Sequence, residues 1–250
     1  MATVTGDRLQ QKDGLCGPFQ AARILRELGF DDWDGQPIDE DLLAARAGTI
    51  LPVPAEGLIP PGADSRTDYR HELATAPLAE SGTAVPELAA VIERASGGSV
   101  RCVPIRGTWT AERVESLVER GAREARLLAN VRSGHFWGSR PPLEALAAEL
   151  EGREPDGPPA EWDVGHFCEL VGVLRGSGGS LIAVRDSYPS LGLGGYHLQP
   201  PRAVAAALVR GDGREGGVLA IAGGEAVAGV EQLAVELGLE LGTWDNGTRR

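Results

Sequence analysis

Two apolar runs and the turn between them decide the fold: Gly165-His166-Phe167-Cys168-Glu169-Leu170-Val171-Gly172-Val173-Leu174, then Gly176-Ser177-Gly178-Gly179-Ser180, then Leu181-Ile182-Ala183-Val184-Arg185-Asp186-Ser187-Tyr188-Pro189. Positions 166–174 and 181–185 are strand material, and the Gly/Ser insert can turn the chain back tightly, so a hairpin is expected. Antiparallel neighbours bring the start of one strand beside the end of the next. His166 and Asp186 are therefore expected to meet at one end of the hairpin.

Outward from this pair, Phe19, Ala22, Leu25 and Leu28 recur at helical spacing over 16–28, with Gly29 as the stop. Asp39 is placed to cap a helix over 40–47 that Gly48 ends. Further helices are expected over 86–95, 111–120, 143–150, 202–209 and 225–237, and strands over 100–105, 127–131 and 218–222. Residues 48–82 are rich in Pro, Gly and acidic side chains and show no period. A stretch that long predicts an ordered excursion over the surface, or a lid bordering a cleft. Helices lead and strands cluster late, which predicts an α+β fold. The expected architecture is one domain: a helical lobe over about 1–98 packed on an antiparallel sheet lobe over about 99–223, then a C-terminal helix and tail over 224–250.

The net charge of -12 argues against nucleic acid or an anionic membrane as partner, since both attract basic surfaces. No secretory signal pattern opens the chain and no apolar run approaches membrane-spanning length, so a soluble, cytoplasmic protein is expected. Three cysteines in 250 residues make no disulfide framework. Neither Cys-x2-Cys nor His-x3-His spacing occurs, so neither a metal nor another cofactor is expected. Asn246-Gly247-Thr248 has sequon form and Arg210-Gly211-Asp212 has the form of an adhesion tripeptide; both are read as chance.

Cys16, in Gln10-Gln11-Lys12-Asp13-Gly14-Leu15-Cys16-Gly17-Pro18, stands at the start of the first expected helix. There the positive end of the helix dipole and unpaired N–H groups favour a thiolate. A small buried residue opening the helix is the structural alternative. His166 held by Asp186 would supply a base of fixed tautomer for that thiol. His135, in a second Gly-His-Phe run at 134–136, is the competing base, or else lines the cleft beside Trp137. Cys102 and Cys168 lie inside strands and are expected to be buried.

Taken in order, Gln-x5-Cys-Gly-Pro opening a helix, Gly-His-Phe leading a strand and Asp-Ser-Tyr-Pro in a Gly-rich turn resemble the papain-like cysteine peptidases. The similarity is greatest to the branch that cleaves double-glycine leader peptides of bacteriocins. It covers 10–29 and 164–222. The resemblance implies a papain-like fold, Cys16 as nucleophile, His166 as base, Asp186 as its orienting acid and Gln10 in the oxyanion site. Gln11 is adjacent, and only one of the two glutamines can serve; family spacing favours Gln10. Gly165, Ser187, Tyr188 and His135 are the candidate substrate-lining residues. The expected substrate is a peptide, an amide or an acyl thioester, which a carrier protein could present. Two other readings stay open: a papain-like acyltransferase or amide synthase that passes the acyl group to an amine, and a catalytically silent peptide-binding module.

Overall fold

The computed structural model describes residues 10–54 and 57–249. The first nine residues, on which the absence of a signal segment partly rests, lie outside them, as do positions 55 and 56 of the expected lid.

In chain order the elements are α1 (Cys16–Glu27), β1 (Asp32–Trp33), β2 (Gln36–Pro37), α2 (Glu40–Ala47), β3 (Ile50–Pro52), β4 (Ala74–Ala76), α3 (Val85–Ala95), β5 (Val100–Arg106), α4 (Ala111–Gly121), β6 (Ala125–Arg132), α5 (Leu143–Leu150), β7 (Gly165–Arg175), β8 (Ser180–Arg185), β9 (Tyr196–Gln199), α6 (Pro201–Val209), β10 (Gly217–Gly223), α7 (Val227–Glu236) and β11 (Glu240–Leu241). The fold is α+β. Its centre is a seven-stranded sheet in the order β11-β5-β10-β6-β7-β8-β9, and every neighbouring pair runs antiparallel.

Adjacent residues on the central strands point to opposite faces, and both faces are covered. Leu128, Phe167, Leu219 and Ile221 pack under α1, α2 and α3, in a core that includes Leu25, Leu43, Leu88 and Ile92. Leu127, Cys168, Val184 and Ala220 pack on the other face with Leu117 of α4, Val204 and Leu208 of α6 and Leu233 of α7. Burial on both faces explains why these strands read as unbroken apolar runs rather than as an alternation. It also refines the two-lobe expectation. Helices α4, α6 and α7, all C-terminal to the expected helical lobe, cover the face of the sheet that a helix-on-sheet arrangement would leave open.

Local signals behave as their chemistry requires. The Asp39 side chain accepts the Leu42 N–H at 3.0 Å, and Gly48 closes α2 in the left-handed region at φ 64°. Thr110 caps α4 by accepting the Arg113 N–H. The β7–β8 hairpin forms, with Glu169 opposite Arg185 and a bulge between Leu170 and Gly172. Strand β9, which the sequence reading passed over, pairs with β8 and puts His197 opposite Val184.

The 48–82 stretch is not plain loop. Strands β3 and β4 pair in parallel within it. A polar cluster joins it to α2 and to the start of the chain: Arg66 Nη1 lies 3.4 Å from Glu40, Ser65 Oγ donates to Asp13, and Lys12 Nζ lies 2.6 Å from Asp41.

Candidate active site

Cys16 is the first residue of α1, which has no side-chain cap and no acidic residue in its first turn. The positive helix end is thus left uncompensated where the thiol sits. A Cβ on Gly17 would lie 3.2 Å from Leu88 and from Phe167, a tight contact that these side chains would have to relieve, so glycine lets α1 sit this close to the sheet without strain. Gly14, with φ 74°, supplies the turn that leads into the helix.

His166, at the start of β7, is buried, and its Nε2 lies 3.2 Å from each carboxylate oxygen of Asp186. Continuing the hairpin register one pair beyond Glu169 and Arg185 would put Asp186 opposite Cys168, a diagonal neighbour of His166 on the same face. With Nε2 engaged by the carboxylate, Nδ1 is the nitrogen left to serve the thiol. Burial opposes charge on His166, but the Asp186 carboxylate and then the Cys16 sulfur outweigh it, so its pKa is raised. Burial likewise works against the Asp186 charge, yet His166 and His197 hold its carboxyl far below the usual range. Ser187 and Tyr188 donate their backbone N–H groups to Asp186 Oδ1 at 2.7 and 3.2 Å. Their part at the site is to hold the carboxylate.

Trp162, which the sequence reading did not single out, packs edge-on to both His166, at 4.9 Å between ring centroids, and Tyr188, at 5.5 Å. Its Nε1 donates to the Gly57 carbonyl at 3.1 Å, joining the segment before β7 to the 48–82 excursion. Beneath this bridge lies a cavity of about 90 Å³ lined by Cys16, His166, Gly165, Gln11, Pro52 and Leu78, among others. The described part of 48–82 therefore borders the site. So does the C-terminal tail, through Asn246 and Thr248, with Asn246 Nδ2 donating to the Thr83 carbonyl.

The two glutamines are separated by what holds them. The Gln10 amide donates to the Asp64 carbonyl, away from the cavity lining. Gln11 is buried at the cavity, its Oε1 accepting from Ser187 Oγ at 2.5 Å and its Nε2 donating to the Lys12 carbonyl at 3.1 Å. The spacing implied by the family resemblance favoured Gln10; the lining of the cavity holds Gln11.

His135 engages the Arg210 carbonyl through Nε2 at 2.8 Å, on the C-terminal side of α6, and does not line the cavity with Cys16. Arg210 is buried, donating to Asp212 from Nε and Nη2 and to Asn130 from Nη1, so the charged ends of the Arg-Gly-Asp tripeptide satisfy one another. Asn130 in turn donates to the His166 carbonyl at 3.3 Å. Burial raises the pKa of both Cys102 and Cys168 well above that of an ordinary thiol. Among the described residues no group of three or more His, Cys, Asp or Glu side chains could hold a metal ion, and no helix is long and apolar enough to cross a membrane.

A thiol at an uncapped helix start, an imidazole and a carboxylate in series can carry out nucleophilic acyl chemistry. No curated protein and no solved structure matches the chain. A family profile does, over residues 2–245, and the chain belongs to the family of unknown function DUF6885.

Proposed function

We propose that this protein is a papain-like cysteine enzyme that forms an acyl-enzyme on Cys16 from an amide, peptide or thioester substrate. The observation that carries the reading is the series Cys16–His166–Asp186, with His166 Nε2 on the carboxylate and the imidazole charge favoured.

In this mechanism the Cys16 thiolate, paired with the His166 imidazolium, attacks the substrate carbonyl carbon. The carbonyl π electrons move onto oxygen, where the first-turn N–H groups of α1 and a glutamine amide stabilise the charge, each donor contributing ~3 kcal/mol. Collapse breaks the bond to the leaving amine or thiol, and His166 passes its proton to that group. Water or an amine then attacks the thioester while His166 takes its proton, and the thiolate leaves. The fate of the acyl group, hydrolysis or transfer, depends on which acceptor reaches the thioester. Trp162 and the 48–82 segment cover the cavity and favour a substrate entering as a narrow, extended chain.

The test is to incubate the protein with an acyl thioester, with and without an amine, and follow intact mass and peptide maps. An adduct on Cys16, resolved by water or by amine, supports the reading and tells a hydrolase from a transferase. A peptide-binding module would give no adduct. Preferential labelling of Cys102 or Cys168 by limiting iodoacetamide would remove Cys16 from its role.

A further inference from the structure

The two oxygens of Asp186 keep different company. Oδ1 accepts the Ser187 and Tyr188 N–H groups in addition to His166. Oδ2 is faced by two imidazoles, His166 Nε2 at 3.2 Å and His197 Nε2 at 3.8 Å. His197 stands on β9, the edge strand, with its side chain 3% exposed and its Nε2 buried with no hydrogen-bond partner among the described residues, the 3.8 Å to Asp186 being a charge–dipole distance.

The tautomer of His197 follows from a chain of fixed donors. The Trp137 N–H donates to Gln199 Oε1 at 2.7 Å, and Gln199 Nε2 donates back to the Trp137 carbonyl at 3.0 Å. These two backbone contacts settle which end of the Gln199 amide carries hydrogen. The remaining Nε2 hydrogen points to His197 Nδ1 at 3.0 Å. Nδ1 is therefore the acceptor, and the ring proton of neutral His197 sits on Nε2, the atom that faces Asp186. Phe136 meets the same ring edge-on at 5.8 Å between centroids. The second Gly-His-Phe run thus lies behind Asp186, contributing Phe136 and, next to it, the Trp137 backbone.

We propose that His197 is a positioning residue, whose Nε2–H, held in that tautomer by Gln199, fixes the Oδ2 edge of Asp186 so that both carboxylate oxygens stay on the His166 imidazole. The inference rests on the reading of Cys16, His166 and Asp186 as a working series. It adds a link no part of the catalytic sequence pattern contains, running from the Trp137 backbone through Gln199 and His197 to Asp186. Of the charged groups near this cluster, Arg23 and Arg185 face Glu169 at 3.4 and 3.5 Å. Arg23 Nη1 donates to the Asp186 main-chain carbonyl, and Glu161 accepts from Ser139 Oγ.

The test uses the full chain and needs no substrate. Alkylation of Cys16 by iodoacetate, an anion, is fastest while the His166 imidazolium is present, so the alkaline limb of its pH profile reports loss of that charge. In His197→Ala the plateau rate falls about tenfold, and the alkaline limb moves to lower pH because the carboxylate is free to turn away. In His197→Gln, whose amide N–H can reach the same place, both are largely restored. A His197→Ala profile that superimposes on that of the unsubstituted protein overturns the proposal while leaving the triad reading intact. An unsubstituted protein with no neutral plateau at all overturns both. Should His197→Ala fail to fold, nitrogen-15 NMR of the unsubstituted protein still decides: neutral His197 carrying its proton on Nε2 supports the proposal, and a proton on Nδ1 overturns it.

Discussion

Asp186 holds His166 with both carboxylate oxygens, each 3.2 Å from Nε2, although the last paired residues of their hairpin are Glu169 and Arg185. The carboxylate reaches back along the sheet, and its charge is what lets a fully buried imidazole stay protonated. The pH dependence follows with a definite sign. The Asp186 carboxyl is depressed, so its contribution to stability is present above its ordinary value of about 3.9 and is lost as pH falls. His166 is raised, so its contribution is complete below about 6.5 and is lost as pH climbs through the raised value. Stability from the pair is therefore greatest between roughly pH 4 and 6.5.

Asp186→Asn should flatten that dependence. Thermal unfolding of the unsubstituted protein and the variant, compared from pH 5 to 9, is the measurement (a range of roughly four units about the ordinary histidine value). Glu40, raised to about 7 by burial, adds a slope of the same sign below neutrality, so the difference between the two curves is the quantity to read. Acyl turnover of the variant should fall by about a hundredfold or more, since an amide orients the ring without supporting its charge. Equal turnover would remove Asp186 from the mechanism.

The two glutamines make a paired experiment. Gln11→Ala removes the amide at the cavity and should lower turnover about a hundredfold with little change in KM, the pattern of a lost transition-state contact. Gln10→Ala should change turnover by less than about threefold, an effect under ~1 kcal/mol. The reverse ranking would restore the assignment that the family resemblance favoured.

Trp162 can be divided into its ring and its hydrogen bond. Trp162→Phe keeps an aromatic edge on His166 and loses the contact to the Gly57 carbonyl, a loss of about 1 kcal/mol. Trp162→Ala also removes the half-buried ring, costs about 2 kcal/mol in stability, and lets water weaken the His166–Asp186 attraction. Iodoacetate profiles should show the alkaline limb moved to lower pH in the alanine variant and little changed in the phenylalanine one. Two superimposable profiles would mean the ring does not shield the pair.

Lys12 and Asp41 form a buried ion pair, each side chain 5% exposed, between the residues ahead of α1 and α2. Lys12→Met leaves the buried Asp41 carboxylate to half-exposed Arg70 among the described residues and should cost about 3 kcal/mol, read as a lower urea midpoint. Lys12→Met with Asp41→Leu should recover most of the loss, because no charge is then left buried without its partner. A single variant as stable as the parent would show that the pair does not anchor this segment.

The sequence by itself determined the elements whose causes are local. Period and stop signals located α1, α2, α3 and α4 to within a residue or two, and the Gly/Ser turn between two apolar runs located the β7–β8 hairpin. The hairpin, in turn, made the approach of His166 and Asp186 legible, because both residues belong to one short-range unit. Cys16 was legible as a helix-start thiol, but its approach to His166 was read from the ordered resemblance.

The tertiary structure decided what depends on residues far apart in the chain. The order of a seven-stranded sheet, and its burial on both faces, comes from packing against helices drawn from both halves of the sequence. Gln10 and Gln11 are equivalent by composition and adjacent in sequence. The Asp64 carbonyl and the Ser187 hydroxyl, supplied by distant segments, divide them. Trp162 and His197 carry no local mark of their place at the site. One reaches His166 through a segment without regular structure, the other through an edge strand of four residues. A side chain's rotamer and hydrogen bonds are set by whatever atoms lie within about 4 Å of it, and for these residues nearly all of those atoms belong to segments distant in sequence.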